Sequence, residues 1–334
     1  MTPDAFSRAL SGQRGFSAIE LAKIADELGA DVHYLITGEP DPLRLRMVAR
    51  HNYDLVTGRR VVRGADQDRA ILDDVALAYR QAAESSLPAS TIPATALDAC
   101  TALGERFVRP FINRLEDNLN LDVVRLPDLS TSYSFMLSGR GVILVPADGN
   151  WFYQNWCLAH ELGHLVYGHT DPETSDGERD QHEHVADAFA ADLLLPGDAI
   201  RSQPWDRMTA EDLADRVWDW GISTKALATR LRALHISLPR LVDEWRAQPT
   251  QRLLRKYWNH AEPGDPIDQR TAEAATRQFP LALRQAHTTL IAEGRLPKGT
   301  LAWMLGVSET MLEVDEPTRP EPMSADALAS ALGL

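Results

Sequence analysis

The feature that most constrains the fold of this chain is an HExxH motif that runs from His160 to His164 and is followed, nineteen positions later, by Glu183. Residues four apart lie on one face of a helix, so the imidazoles of His160 and His164 can converge on a single metal ion. Glu161 projects beside the same face, where it can take a proton from water during attack on a carbonyl carbon. The motif therefore predicts half of a zinc site and the chemistry of peptide hydrolysis.

The flanking sequence favours two helices that bring the motif and Glu183 together. Residues 151–168 carry apolar side chains around the motif and no proline, which predicts a largely buried helix. Residues 183–195 predict a second helix, which ends at Pro196-Gly197 and has Glu183 in its first turn. Three protein ligands leave one coordination position open, as catalytic zinc requires. We therefore expect Zn2+ at this site, bound by the two histidines of the motif and by Glu183.

Asp187 is the candidate for a residue that supports the metal ligands. It lies one turn after Glu183 on the same face of the second helix. A ligating histidine usually donates its other ring N–H to a carboxylate or a carbonyl, so Asp187 is expected to orient His160 or His164. The alternative interpretation is a pair of helices whose His and Glu residues face solvent and bind no metal.

The second helix carries a wider pattern that resembles a known family. The residues that carry it are Glu183-x-x-Ala186-x-x-Phe189-Ala190-Ala191-x-Leu193-Leu194-x-Pro196. Together with the HExxH helix, this pattern is similar to that of the ImmA/IrrE family of bacterial and phage metallopeptidases, over roughly residues 95 to 235. The resemblance implies Glu161 as the general base and His160, His164 and Glu183 as zinc ligands. It also implies an α+β fold with a zincin-like core, in which a small mixed sheet packs with the HExxH helix and the ligand helix.

Two positions depart from the family pattern. Asp187 stands where the family commonly has Asn, and Cys157 where it commonly has Thr. Because Cys157 lies three residues before His160 on the ligand face, its thiol could touch the metal or respond to oxidation. The alternative is a small residue that packs under the helix.

Several polar residues are chemically suited to stabilise the oxyanion of a tetrahedral intermediate, beyond the metal itself. They are Tyr133, His169, His182 and His184. The sequence does not rank them. His182 and His184 could instead compete for the metal, but they flank Glu183 in sequence and are expected to point elsewhere on the helix.

The segment before the motif predicts helices and then strands. Residues 67–84 predict one helix, and residues 94–118 predict a second, kinked at Pro110. Strands are expected at 121–126, 133–137 and 142–145. By analogy with zincin-like enzymes, one of the last two strands should be the sheet edge along which an extended peptide pairs.

Three stretches within the first forty residues carry a second pattern: Asp4-Ala-Phe6-Ser-Arg8-Ala-Leu-Ser-Gly12-Gln-Arg14, Ile19-Glu-Leu21-Ala22-Lys-Ile24-Ala25-Asp-Glu-Leu28-Gly29 and Val32-His-Tyr34-Leu35-Ile-Thr37-Gly38. This pattern resembles the back half of an XRE/Cro-type helix-turn-helix domain, with its recognition helix, a turn and the two closing helices. Without the first two helices of that domain, the recognition helix has no fixed docking angle in the major groove. The segment holds three basic side chains against six acidic ones, which disfavours unaided DNA binding. A docking surface for a repressor, a dimerisation element and a start site placed too far downstream all remain open.

The domain organisation follows from these patterns. We expect a partial helix-turn-helix-like segment at 1–40, a helical linker region at 41–93, the zincin-like domain at 94–235, a helical C-terminal module at 236–312, and a linker with a terminal helix at 313–334. The core is thus flanked by mainly helical segments. Residues 211–231 have a helix-turn-helix outline, and eight basic side chains lie within 225–256. These residues could form a DNA-binding surface, but long basic side chains on a solvated helical face are the favoured interpretation.

Composition limits the class of protein. The 334 residues carry a net charge of −14, which disfavours general affinity for nucleic acid. Two cysteines give no disulfide framework. With no basic-flanked hydrophobic leader and no apolar run of membrane length, we expect a cytoplasmic protein without membrane contact.

Together these features predict a zinc-dependent endopeptidase with a regulatory role. By resemblance, its protein substrate is an XRE-type helix-turn-helix transcriptional repressor. The alternative is a non-hydrolytic transcription regulator or antitoxin-like binding protein that uses the zinc fold as a sensor. The sequence leaves direct DNA binding and the number of subunits open.

Overall fold

A computed structural model describes residues 3–28, 32–39, 48–49, 52–54, 59–61, 65–83, 87–137, 139–169, 174–259 and 264–317. The chain divides into two compact units, Met1–Leu45 and Arg46–Leu334. Among the described helices, none combines the length and the apolar composition needed to cross a bilayer.

The N-terminal unit contains three short helices, α1 (Pro3–Leu10), α2 (Ala18–Leu28) and α3 (Val32–Thr37). Arg14, in the turn after α1, donates to the Ala5 carbonyl at 2.9 Å and to Glu20 on α2 at 2.8 Å. These two contacts connect the first two helices. The helical prediction for this segment is confirmed, and its relation to helix-turn-helix domains stays a prediction.

The second unit is built around a small mixed sheet. Its strands are β1 (Val48–Ala49), β4 (Asp122–Leu126), β5 (Tyr133–Leu137) and β6 (Arg140–Pro146), and a separate hairpin pairs β2 (Asn52–Asp54) with β3 (Arg59–Val61). The spatial order is β1-β5-β6-β4, with β4 parallel to β6 and the other two pairings antiparallel. All seven residues of β6 are buried, as expected for a central strand covered on both faces.

The sheet order decides which strand lies at the edge. Among the described strands, β1 and β4 lie at the edges and both β5 and β6 lie between them, so the expectation that 133–137 or 142–145 forms the edge is wrong. In the described residues, β1 pairs with Tyr133 and Ser134 of β5. Within the described part of the chain, the remaining residues of β5 have no strand on that side.

Helices cover both faces of this sheet. The first three are α4 (Ala65–Ala82), α5 (Ala96–Leu103) and α6 (Phe111–Leu119). A single helix kinked at Pro110 was expected over 94–118, but the structure has two helices with a turn between them. Gly104 ends α5 with a φ of 80°, and Pro110 precedes the first residue of α6. Proline cannot donate a helical hydrogen bond, so it begins a new helix here instead of bending one.

Two long helices follow the sheet, α7 (Trp151–Val166) and α8 (Asp176–Leu194). The expected second helix therefore begins seven residues earlier than position 183, and Glu183 lies inside it rather than in its first turn. Ser175 explains the earlier start, because its hydroxyl accepts from the Glu178 N–H while the Glu178 side chain accepts from the Ser175 N–H. This capping box satisfies two N–H groups at the helix terminus.

The described residues after α8 are mainly helical. Their helices are α9 (Gly197–Arg201), α10 (Ala210–Trp220), α11 (Thr224–Ala233), α12 (Arg240–Trp245), α13 (Thr250–Tyr257), α14 (Pro266–Ala274), α15 (Leu281–Ala292), α16 (Gly299–Leu305) and the 3-10 turn η1 (Glu309–Met311). Ser223 caps α11 by accepting from the Ala226 N–H. Two contacts attach the C-terminal helices to the sheet and its helices. The helices α15 and α16 pack on α4, and Gln278 forms a β-bridge with Arg125 of β4. The predicted terminal helix lies outside the described residues.

Candidate metal centre

The helix α7 positions three of the predicted site residues. Asn150 caps it by accepting from the Tyr153 N–H, and the helix then runs between the sheet and α8. His160, Glu161 and His164 are all buried, at 0%, 0% and 1% exposure. Polar side chains are rarely buried so completely unless they are hydrogen-bonded, paired or bound to a metal.

Gly163 allows α8 to approach this helix closely. A Cβ atom at position 163 would lie 3.1 Å from the Ala186 Cα and 3.2 Å from the Phe189 Cβ, both on α8. The side-chain-free position therefore sets the spacing of the two helices. That spacing brings Glu183, itself 1% exposed, against the histidines.

The three predicted ligands meet in the structure. Glu183 Oε2 lies 3.3 Å from His160 Nε2, Glu183 Oε1 lies 3.6 Å from His164 Nε2, and the two Nε2 atoms are 3.1 Å apart. One ligand atom from each residue falls within 4.8 Å of the others. Among the described residues, these three form the one group of at least three His, Cys, Asp or Glu side chains that could hold a metal ion.

The protonation of the histidines fits a cation at this position. His160 Nδ1 is 2.9 Å from Asp187 Oδ1, and because a carboxylate only accepts, the proton is on Nδ1. In the neutral imidazole, His160 Nε2 then keeps the lone pair that a metal ligand requires. Two imidazole nitrogens and a carboxylate are the ligand set of catalytic zinc sites.

Both histidines have a further partner behind the cluster. Asp187 contacts His160 rather than His164, which decides between the two possibilities left open by the sequence. His164 Nδ1 lies 3.2 Å from His169 Nδ1, and the His169 ring stacks on His182 with centroids 3.8 Å apart. His169 is thus placed to orient His164, a role that the sequence did not suggest.

The pKa values of Glu183 and His169 are both lowered, but by different causes. Burial by itself raises the pKa of Glu183, but the imidazoles of His160 and His164 lower it more strongly, so the pKa lies below its ordinary value. Burial, and then the neighbouring His182 and His164, lower the pKa of His169 to about 4. The cluster therefore combines an ionised carboxylate with a neutral supporting imidazole.

Two serines hold Glu161, and sequence reasoning missed both of them. Ser132 donates to Glu161 Oε1 at 2.6 Å, and Ser134 on β5 donates to Glu161 Oε2 at 2.7 Å. Both serines are buried, at 0% and 1% exposure. Their spacing of two residues is the available signal, because alternate residues of a strand share a face.

Tyr133 lies on the other face of β5 and does not reach this cluster. Its hydroxyl donates to Asp68 Oδ2 at 2.7 Å, and Ser130 donates to the same carboxylate through its hydroxyl and its N–H. The alternation of strand side chains, which brings Ser132 and Ser134 to Glu161, necessarily turns Tyr133 away. In this arrangement the Tyr133 hydroxyl is therefore engaged by Asp68.

The remaining sequence candidates lie around the cluster rather than in it. His182 stacks on His169, and His184 is exposed on α8, so within the described residues neither belongs to the metal-binding group. Cys157 is fully buried in the hydrophobic core, as the packing interpretation predicted, and is also outside that group.

The fold and the cluster describe a mixed α+β domain with a buried His-His-Glu site at the contact of two helices. Residues 116–232 match the Peptidase_M78 family model, described as the IrrE N-terminal-like domain. The matched segment contains β4 to β6, α7, α8 and all three cluster residues. It supports the resemblance to the ImmA/IrrE family and a metallopeptidase of that kind. No curated protein and no solved structure shows significant similarity to the chain.

Proposed function

We propose that this protein is a zinc-dependent endopeptidase with a zincin-like core, in which Glu161 is the general base. The observation that carries the proposal is the convergence of His160, His164 and Glu183 in a buried site beside Glu161. The family match over residues 116–232 supports the same chemistry. Three protein ligands leave a position for water or substrate, whereas a structural site would have a fourth.

Each side chain has a distinct task in this mechanism. Zinc held by the three ligands would polarise the substrate carbonyl and the attacking water as a Lewis acid. Glu161 takes a proton from that water and then delivers it to the leaving amine. Asp187 and His169 keep the ligand imidazoles in the required tautomer and orientation.

Ser132 and Ser134 act as positioning residues for Glu161. Each hydroxyl donates to one carboxylate oxygen, so together they fix the plane of the carboxylate. A general base must lie within hydrogen-bond reach of the proton that it abstracts, and a fixed side chain meets that condition without reorganisation.

The sheet indicates how a protein substrate would be held. β5 carries Ser134 and lies beside α7, and among the described residues only β1 pairs with its outer side, at Tyr133 and Ser134. By analogy with zincin-like enzymes, an extended peptide could pair with the sheet on this side. This favours cleavage of unstructured or locally unfolded segments. By resemblance, the substrate is an XRE-type helix-turn-helix repressor.

One observation favours a second candidate function, a regulator that binds a partner without hydrolysis. Glu161 is fully buried, and both of its carboxylate oxygens accept hydrogen bonds from serines. If these contacts persist when the partner is bound, the carboxylate is not free to take a proton. The zinc site would then serve as a sensor.

A cleavage assay with matched variants separates the two functions. The full chain is loaded with Zn2+ and incubated with candidate repressors, chosen from genes that neighbour its own, beside Glu161→Gln and a chelated sample. For the peptidase, we expect specific cutting that chelation abolishes and that Glu161→Gln slows by at least about a hundredfold. Metal content is measured in both proteins.

The contrary result is equally defined. An intact repressor that binds the zinc-loaded chain tightly, with equal affinity for the Glu161→Gln variant, would support the regulator. Absence of bound zinc in the purified chain, together with unchanged behaviour after His160→Ala, would contradict both functions.

A further inference from the structure

A cavity lies near the N-terminal end of α7, away from the His-His-Glu cluster. Its volume is about 580 Å3, within the range of small-molecule sites. Gln154 and Asn155 of α7 form one wall, and residues of α10, α14 and the segment before α6 form the others. None of the three cluster residues contributes to its lining.

The charge of this cavity contrasts with that of the whole chain. Its lining contains three arginines, Arg109, Arg125 and Arg270, and one carboxylate, Glu273. The full chain carries a net charge of −14. In the described part of the protein, Arg125 and Arg270 form no ion pair, and Arg109 has a single carboxylate partner, Asp219, at 3.4 Å.

Arg270 is the most unusual of the three. Its guanidinium lies 3.7 Å from the centroid of the Trp151 ring, and one of its nitrogens donates weakly to the Val108 carbonyl at 3.4 Å. The other terminal nitrogen, Nη1, is buried and has no hydrogen-bond partner among the described residues. Burial, and then the nearby Arg109, lower the pKa of Arg270 to about 9. The charge of Glu273, which also lines the cavity, acts in the opposite direction on this pKa, so one carboxylate stands against three arginines.

Three further hydrogen-bond donors lie near Arg270. The indole Nε1–H of Trp151 is buried and has no acceptor in the described part of the chain. Arg109, whose side chain is 39% exposed, lies with its guanidinium 5.0 Å from the Trp218 ring centroid and is accessible from solvent. Arg125 is fixed by the Thr276 carbonyl and the Gln278 side chain at 2.7 and 2.8 Å. These contacts hold Arg109 and Arg125 in place around a space that is lined by three arginines and one carboxylate, Glu273.

We propose that this cavity binds a small anionic molecule that carries a carboxylate or phosphate group on an aromatic or apolar body. The anionic oxygens would face Arg109 and Arg270, and the apolar body would contact Ile112 and Leu158, which also line the cavity. Guanidinium groups are suited to this task because they present paired donors to planar or tetrahedral oxyanions. Glu273 would disfavour cationic ligands.

Calorimetry on the full chain tests the proposal without reference to proteolysis, so its outcome is independent of the proposed peptidase. The probes are AMP, adenosine, phenylacetate, benzyl alcohol and inorganic phosphate. We expect saturable binding of AMP or of phenylacetate, and none of adenosine or benzyl alcohol, which lack the anionic group. The comparison of AMP with phenylacetate identifies the phosphate or the carboxylate as the preferred group, and inorganic phosphate measures binding without the apolar body.

Matched variants locate the site. Arg270→Met and Arg109→Met, each of which removes a charge and keeps an extended side chain, should weaken binding at least tenfold, about 1.4 kcal/mol. Arg252→Met, at an exposed arginine outside the cavity, should leave binding unchanged. If Arg270→Met fails to fold, the half-exposed Arg109 still provides the test. Absence of saturable binding of any anionic probe up to about 10 mM, or equal affinity in all variants, would overturn the proposal.

Discussion

The two faces of β5 are built from the same chemistry and are expected to serve different purposes. On one face, Ser132 and Ser134 donate to the carboxylate of Glu161. On the other, Tyr133 donates to the carboxylate of Asp68, which Ser130 also contacts. Both carboxylates are fully buried. Hydroxyl groups around a buried carboxylate therefore do not identify a catalytic site; the neighbouring His-His-Glu cluster distinguishes Glu161 from Asp68.

The structure indicates what the Asp68 face does instead. Asp68 belongs to α4, and its hydrogen bonds fasten this helix to the residues around the start of β5. Tyr79 on the same helix donates to Asp122 of β4 at 2.8 Å and packs edge-on against Phe135. This face holds a helix on the sheet, whereas the other holds a single side chain beside a metal site.

The largest effect should come from removing the structural carboxylate. Asp68→Ala leaves the Tyr133 hydroxyl and the Ser130 donors buried without their acceptor, so we expect the free energy of unfolding to fall by about 3–5 kcal/mol. Denaturant unfolding measures the loss. The fraction that remains folded should keep its full zinc content and its turnover, because Asp68 lies on the opposite face from the cluster.

The matched change, on the face of β5 toward Glu161, should lower activity rather than stability. Replacing Ser132 and Ser134 together by Ala should lower kcat for peptide cleavage by about 10–100-fold, about 1.4–2.7 kcal/mol, with KM and zinc content nearly unchanged. Ser134→Thr, which keeps a hydroxyl on the strand, should retain more activity than Ser134→Ala. Equal losses in kcat and in zinc content would mean that the serines support the fold rather than the orientation of Glu161.

Glu116 extends the comparison to a carboxylate whose Oε1 has no hydrogen-bond partner among the described residues. Burial, and then the charge of Asp122, raise its pKa from 4.5 to about 7. Its protonated form is favoured in the folded state, so its contribution to stability is complete below pH 4.5 and is lost as the pH rises through 7. When the pH rises from 5 to 8, the free energy of unfolding should fall in both proteins. The fall should be smaller in Glu116→Gln than in the unchanged chain, by on the order of 1–2 kcal/mol.

The measurement is denaturant unfolding at both pH values. Glu105→Gln, an exposed residue of similar chemistry, is the control and should follow the unchanged chain. If the Glu116→Gln variant shows the same loss between pH 5 and pH 8 as the unchanged chain, another group is responsible for it.

The smallest effect is expected at Cys157. The side chain is buried in the core one turn before the ligand His160 but is outside the metal-binding group. Cys157→Thr should leave zinc affinity within about twofold and change stability by no more than about 1 kcal/mol, since both side chains are small. Competition titration with a zinc indicator, before and after mild oxidation, measures it. A large drop in affinity would assign the thiol to the metal site.

The local pattern of the sequence was sufficient for much of the candidate site. The spacing of His160 and His164 follows from helix geometry, and the strands at 121–126, 133–137 and 142–145 were predicted within two residues of β4, β5 and β6. Ends of elements were less predictable. The residues around Pro110 permit either a kink or a break, and the start of α8 depends on a cap at Ser175 that lies eight residues before Glu183.

The sequence by itself determined the composition of the candidate metal site, because its proposed ligands lie on two helices whose periodicity fixes which residues share a face. Only the tertiary structure decided which groups surround that site: Asp187 with His160, His169 with His164, and two serines with Glu161. It also brought Arg109, Arg125 and Arg270 to one cavity from distant parts of the chain. Periodicity acts over a few residues, whereas these contacts arise from the packing of separate elements, whose relative positions no local pattern specifies.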